Sequence, residues 1–541
     1  MLLVGLDGAD WAIIDPLLEA GKLPALAGLL ARGGRAVLES TRPPVTFPAW
    51  ASFFTGLPPS EHGVLDFMRW QPGGYAPRFH SGRPRVRTVL EEAAEAGARV
   101  CALGFPGTYP PPRLPGGFLL AGFDAPVALR APADAAWPAA RHAALRRALG
   151  PWPFAEIDEL SVGPGWHERA LLALERGLRT KLRYAEVLLA EEPWDLFAIH
   201  LGETDTVGHH FLAFADPHAP RRPARVTPRE AEAVERIHRQ ADAGLARMLA
   251  LSGEGTSVIL VSDHGMESSS DEVFHPNRAL AAGGFTALRS PPRGAAGLGR
   301  RGREALQAAA LRHLPGRLKE QLFRSLGRHT DWPSRLETGR RLGAVEISRS
   351  AAFSESLTYA PSVRFNLRGR EPLGTVRPED AEVLERAISA HLLGLRHPET
   401  GEPLVEAVLP RRELHRGRAA EEAPDLTLEL GRHRGYRLTA LGAAGPGPVV
   451  SRLSGAARLG GKGRAPLGVH RREGILALAG PAFEARLASL PAALPIADGA
   501  GLLREALGLV AAPPRPVSET PYTPEQAARV RERLAAMGYF E

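Results

Sequence analysis

Five short runs, apolar at nearly every position, constrain the fold of this chain more than any other feature. They are Leu2–Asp7, Arg99–Phe105, Leu196–Leu201, Val258–Asp263 and Gly474–Ala479. Such runs suit strands buried on both faces, as in parallel sheets, whereas a half-exposed strand would alternate. Between them lie stretches with helical spacing, such as Val89–Ala96 and Thr227–Leu251. The alternation predicts an α/β fold, with a doubly wound, mostly parallel central sheet and helices on both faces. With 541 residues, 44% of them hydrophobic, the chain can bury a large core.

Composition excludes some chemistry. Cys101 is the sole cysteine, so no disulfide forms within the chain and no cysteine-based zinc site exists. Met1–Asp7 has no basic region or small-residue cleavage site and reads as a strand, not a signal peptide. No apolar run reaches the roughly 18 residues of a membrane span. A cytoplasmic protein is the expectation. The net charge is +7, carried almost wholly by arginine, with lysine only at Lys22, Lys181, Lys319 and Lys462. No nucleic-acid-binding motif accompanies that charge, so no nucleic-acid partner is expected. The pattern does not reach oligomeric state.

Two stretches break the rhythm and read as helical cap-like insertions, at about residues 125–164 and 290–341. The second holds a basic helical run, Arg303–Arg328, which reads as a solvated cap helix. Residues 1–511 are expected to form one large α/β domain, and 512–541 a linker and terminal helix. Thr523 and Gln526 have capping-box spacing, Pro524 stands at the first helical position and Gly538 follows the last turn.

Three acidic residues stand at or just past the ends of apolar runs: Asp7, Asp205 and Asp263. In open α/β sheets the ligand crevice lies outside the carboxyl ends of the strands, so residues far apart in sequence meet there. One such Asp alone reads as a helix cap. Here two carry histidines: Asp205 and His209 are four apart and share one helical face, and Asp263 and His264 are adjacent. Gly208 and Gly265 flank these pairs and are expected to permit tight turns. His470 precedes the last apolar run and could return to the same edge. Mixed Asp/His ligands suit zinc, and also manganese or iron. His200, His210, His218 and His275 read as buried, hydrogen-bonded histidines without a metal role. Thr46, between Pro43-Pro44-Val45 and Phe47-Pro48, is a hydroxyl at a helix start. Taken alone it is more simply a helix cap than a nucleophile.

In combination these residues resemble the alkaline phosphatase superfamily, and within it the type I phosphodiesterase/nucleotide pyrophosphatase group, in a prokaryotic branch. The matching segments are Gly5-Leu6-Asp7-Gly8, Pro44-Val45-Thr46 through Thr55-Gly56 to His62-Gly63, Asp205-Thr206-Val207-Gly208-His209, Ser262-Asp263-His264-Gly265-Met266 and the late His470. Asn366-Leu367-Arg368-Gly369-Arg370-Glu371-Pro372 and Ala423-Pro424-Asp425-Leu426 also resemble segments of that branch. The likeness runs to about Leu509 and is weakest over the two interrupting stretches.

The resemblance implies an alkaline-phosphatase-like fold and a site with two divalent ions, zinc first among the candidates. One ion would be held by Asp7, Asp263 and His264 with Thr46 as exchangeable ligand, the other by Asp205, His209 and His470. Thr46 would be the nucleophile of a covalent phospho-threonine mechanism that cleaves a phosphodiester or pyrophosphate in a small-molecule phosphate ester. Phe67 follows His62-Gly63-Val64-Leu65-Asp66, where nucleotide-cleaving members usually carry Asn. A phosphomonoesterase or phosphonate hydrolase on the same residues is the nearest rival. A non-catalytic relative that binds anions or lipid headgroups is the third reading.

Overall fold

A computed structural model of the chain describes residues 1–66, 68–69, 75, 78–79, 84–122, 135–154, 157, 165–289, 342, 344–355, 361–442, 445–460, 465–510 and 513–516. The expected cap helix over Arg303–Arg328 and the expected terminal helix after Thr523 lie outside these residues.

Among the described residues the largest sheet has nine strands. Across it the order is Ala493–Pro495, Gly33–Glu39, Glu473–Ala479, Val258–Val261, Leu2–Leu6, Leu196–Leu201, Val100–Leu103, Phe118–Leu120 and Ala136–Trp137. All five runs singled out in the sequence are strands of this sheet, with ends trimmed by up to two residues at Val100–Leu103 and Val258–Val261. The block from Val258–Val261 to Phe118–Leu120 is parallel throughout. Glu473–Ala479 runs antiparallel to both its neighbours, and Ala136–Trp137 closes the far edge antiparallel. Helices Trp166–Glu191 and Ala233–Ser252 pack on each other, and helices Thr46–Thr55, Val89–Glu95 and Asp498–Leu507 form a second group. Thr227–Leu251 is split at Glu232 into a capped turn, Pro228–Ala231, and the long helix that follows. No helix among the described residues is long and apolar enough to cross a membrane.

The strand Gly265–Phe274 leaves the edge of the large sheet and enters a second sheet, where it pairs with Tyr436–Ala440, Val450–Arg452 and Gly468–Arg471. A four-stranded sheet, Ala352–Phe353, Ser362–Phe365, Leu426–Leu430 and Val405–Pro410, lies beyond it, with helix Ala381–Gly394 against Val405–Pro410. These elements share an apolar cluster of their own, including Phe274, Leu280, Val363, Ile388 and Leu428, beside the large core of the central sheet.

Candidate active site

The parallel strands deliver their following residues to one edge. Asp7 comes directly after strand Leu2–Leu6 and is 2% exposed. Gly8 takes a left-handed φ of 65°, and a Cβ there would sit 3.0 Å from the Asp205 Cα, so this turn needs glycine to lie against helix Glu203–Ala215. Asp205 and His209 share a face of that helix, with Asp205 Oδ1 3.1 Å from His209 Nε2. Asp263 and His264 occupy the link between strands Val258–Val261 and Gly265–Phe274. His470 reaches the same edge because Glu473–Ala479 is antiparallel, so the residues before that strand arrive where those after its neighbours end. Its own strand, Gly468–Arg471, places His470 opposite Met266. Thr46 is the first residue of helix Thr46–Thr55, whose cap position is Val45.

All seven residues meet. Thr46 Oγ1 is 3.3 Å from His264 Nε2, which lies 3.5 Å from Asp7 Oδ1 and 3.3 Å from Asp263 Oδ2. Asp205 Oδ1 is 3.3 Å from His470 Nε2, and the rings of His264 and His470 stack at 3.6 Å, which joins the two halves.

Hydrogen bonds assign the histidine tautomers. Nδ1 of His209 faces the Gly468 carbonyl at 2.7 Å, Nδ1 of His470 the Pro44 carbonyl at 2.8 Å, and Nδ1 of His264 the Gly265 carbonyl at 3.1 Å. Each Nδ1–H donates, so in its neutral form each ring turns an unprotonated Nε2 inward. There the nitrogen lone pairs face carboxylate oxygens and, between His209 and His470, each other at 3.0 Å. Lone pairs at such distances need a positive charge between them, a proton or a metal ion. Asp7 Oδ1 and Asp263 Oδ2 are buried and accept no hydrogen bond, a costly state for carboxylates away from water unless a cation compensates. Burial, with the charges of Asp7 and Asp205, pushes the Asp263 carboxyl well up. Burial and neighbouring His470 bring His264 down to about 3, which leaves it in the neutral form that binds cations. The donor set therefore fits metal ions, in two groups that share His264: Asp7, Asp263 and His264, and Asp205, His264 and His470.

His200 is buried and hydrogen-bonded as expected, but its partner is Asp7: Nε2 donates to Oδ2 at 2.7 Å. The signal for it was a polar residue inside an otherwise apolar strand. His210 packs on Trp166, and His275 is hydrogen-bonded to Leu441 and Ser451, while His218 is exposed rather than buried. Gly208 and Gly265 are not turn formers. Gly208 lies within helix Glu203–Ala215 and Gly265 starts a strand, and neither has a left-handed φ. A Cβ on Gly265 would lie 2.2 Å from the Glu473 carbonyl oxygen, so close approach is what requires it.

A third group of ligand-type residues, Glu272, His397 and His433, lies in the second sheet region. There His397 Nδ1 accepts from the backbone N–H groups of Glu399 and Thr400, at 3.2 and 3.3 Å. Nε2 therefore carries the proton and donates it to Glu272 Oε2 at 2.7 Å. The other Glu272 oxygen accepts from Arg452 at 3.1 Å. This carboxylate is satisfied without a metal.

Residues 1–440 match the family model for type I phosphodiesterase / nucleotide pyrophosphatase. The chain belongs to that family. It is thus a metal-dependent phosphoryl-transfer hydrolase. His470 lies beyond the matched segment, and the pairing of Gly468–Arg471 with Gly265–Phe274 brings it to the site. A phosphonoacetate hydrolase from Sinorhizobium meliloti 1021, in complex with phosphonoformate, aligns with a TM-score of 0.53 at 17% identity, over 93% of this chain and 95% of that one. The same enzyme with phosphonoacetate gives 0.51 at 17% identity over 93% and 95%. Murine ectonucleotide pyrophosphatase/phosphodiesterase 5 gives 0.47 at 14% identity over 96% and 97%. No curated protein matches this chain. The fold is that of the alkaline phosphatase superfamily.

Proposed function

We propose that this enzyme cleaves a phosphodiester or pyrophosphate in a small phosphate ester through a covalent phospho-threonine at Thr46. Asp7, Asp263 and His264 would hold one divalent ion beside Thr46, and Asp205, His209 and His470 a second. Zinc is the first candidate for both, given the Asp/His donors. The observation that carries this reading is the facing of buried carboxylates and unprotonated Nε2 atoms around the Thr46 hydroxyl. Bound divalent ions lower the pKa of a nearby hydroxyl and offset the charge of a phosphoryl group in flight.

The chain's own residues do the rest. Thr46 starts a buried helix, so its hydroxyl is held in place and its backbone N–H lies at the electropositive helix end. Thr46 Oγ1 bonds to phosphorus as the bond from phosphorus to the leaving oxygen breaks, and its proton passes to solvent. Water then attacks the same phosphorus, the bond from phosphorus to Thr46 Oγ1 breaks, one water proton returns to that oxygen and the phosphate product leaves. A phosphomonoesterase or phosphonate hydrolase is the second reading, favoured by Phe67 at the position where nucleotide-cleaving members usually carry Asn.

Metal-free enzyme, given back zinc or manganese and screened on aryl phosphodiester, aryl phosphate and phosphonate substrates, separates the readings. The diester should turn over fastest. Thr46→Ala should lose at least about 1,000-fold in turnover while metal stays bound, and Thr46→Ser should keep measurable activity. Acid-quenched enzyme should carry the phosphoryl group on Thr46. Near-parental hydrolysis by Thr46→Ala would mean that water attacks directly.

A further inference from the structure

We propose that His200 is a positioning residue that locks the Asp7 carboxylate and ties it to the helix carrying Thr46. The inference rests on the reading of Asp7 as a metal ligand given above. His200 is the only polar residue of strand Leu196–Leu201, stands in register with Gly5 and is 2% exposed. Its Nε2–H donates to Asp7 Oδ2, which directs Oδ1 toward His264 and Asp263. Without that bond the carboxylate could turn its oxygens between the two directions. A hydrogen bond that orients a ligating carboxylate also reduces the ordering that an ion must impose.

The ring of His200 is itself fixed. Trp50 meets it edge to face at 5.4 Å, and Phe105 packs on it at 5.5 Å. Trp50 is fully buried and lies one turn after Thr46 on the same helix. It fits there because residue 5 has no side chain: a Cβ on Gly5 would be 2.7 Å from the Trp50 ring. A contact chain therefore runs from the Thr46 helix through Trp50 and His200 to Asp7. Movement of the helix would move the carboxylate with it, so nucleophile and ligand keep one spacing.

His200→Phe keeps the ring against Trp50 and Phe105 and removes the donor. His200→Gln offers an amide N–H at similar reach, and His200→Asn one that falls short of Oδ2. Metal affinity, read by competition with a chelator, and kcat and KM, read separately, decide the role. The Phe variant should bind its first metal equivalent about 10- to 100-fold more weakly and lose kcat with little change in KM. Gln should restore affinity to within a few-fold of the parent. If the Phe variant does not fold, the amide pair carries the test: Gln near the parent and Asn weakened supports the role, and equal affinities overturn it. A folded Phe variant with parental affinity and kcat also overturns it. Asp7→Asn is the control. If that change leaves metal binding intact, the reading of Asp7 fails. If it weakens binding while His200→Phe does not, only the role of His200 fails.

Discussion

Two histidine–carboxylate clusters lie toward opposite ends of the strand Gly265–Phe274, built from the same side-chain types. At the sheet edge, His209, His264 and His470 each give their Nδ1 proton to a backbone carbonyl and turn bare Nε2 atoms toward buried carboxylates. In the second sheet region, His397 takes backbone N–H groups on Nδ1 and points its Nε2 proton at Glu272. The first arrangement gathers negative charge and lone pairs, and is stable only around cations. In the second, His397 and Glu272 form a hydrogen-bonded pair, while the His433 ring stacked on His397 makes no hydrogen bond through either nitrogen among the described residues. Residue type and proximity do not separate the two, but the backbone partner of each ring does, because it decides where the proton sits.

The largest effect that sharpens this contrast is on activity. Asp263→Asn keeps the shape and removes a charge, and turnover should fall by roughly 1,000-fold or more, about 4 kcal/mol of barrier. In metal-free enzyme the same change should raise Tm, since it relieves repulsion among Asp7, Asp205 and Asp263. A lower Tm there would break the charge argument. Asp425, in the second sheet region, should behave in the opposite way. It accepts from Arg370 at 2.8 and 2.6 Å and from the Phe365 N–H at 2.7 Å. Asp425→Ala takes two charged hydrogen bonds from the half-buried Arg370, which keeps Glu371 and the Phe365 carbonyl, and leaves the Phe365 N–H unpaired, so denaturant unfolding should show a loss of about 2–4 kcal/mol, with kcat of the folded fraction near the parent.

A smaller effect is expected from His397→Ala, which leaves Glu272 without one donor. A loss of about 1–3 kcal/mol in the same unfolding assay is expected, with activity retained. The smallest is a pH effect. Burial works to raise the Glu272 carboxyl, but the His397 hydrogen bond and nearby charges hold it below its usual 4.5. A carboxyl with a lowered folded value stabilises the protein fully above 4.5 and loses that contribution as pH falls through the folded value. Parental Tm should therefore drop below pH 4.5 more steeply than that of Glu272→Gln. Parallel profiles would remove Glu272 from the account.

The fold and the site were unequally legible in the sequence. The five strands of uniform apolar character could be read directly, and the acids that follow three of them marked the edge where a ligand meets the sheet. Strands Gly33–Glu39, Phe118–Leu120, Ala136–Trp137 and Ala493–Pro495 escaped because they are short or only partly buried, so their pattern does not stand out from loops. His470 was legible from the residues as a histidine before a strand, and as a metal ligand only through the family resemblance. What brings it to the site is the reversed direction of Glu473–Ala479, which is set by its neighbours rather than by its own residues. His200 was passed over because a buried histidine in a strand says nothing of its partner until the adjacent strand is known. The segments around Arg370 and Asp425, matched as family-like motifs, turn out to hold the second sheet region together through a partly buried ion pair, with the Asn366 amide donating to the carbonyls of Ile347, Ser350 and Leu373.

The account stands most directly on where metal binds. Metal-free parent, His470→Ala and His397→Ala, each titrated with zinc and with manganese and measured for bound metal per chain, put the two clusters side by side. The account predicts two tight equivalents for the parent, two for His397→Ala and one for His470→Ala. Loss of an equivalent from His397→Ala, with His470→Ala binding as the parent does, would contradict it.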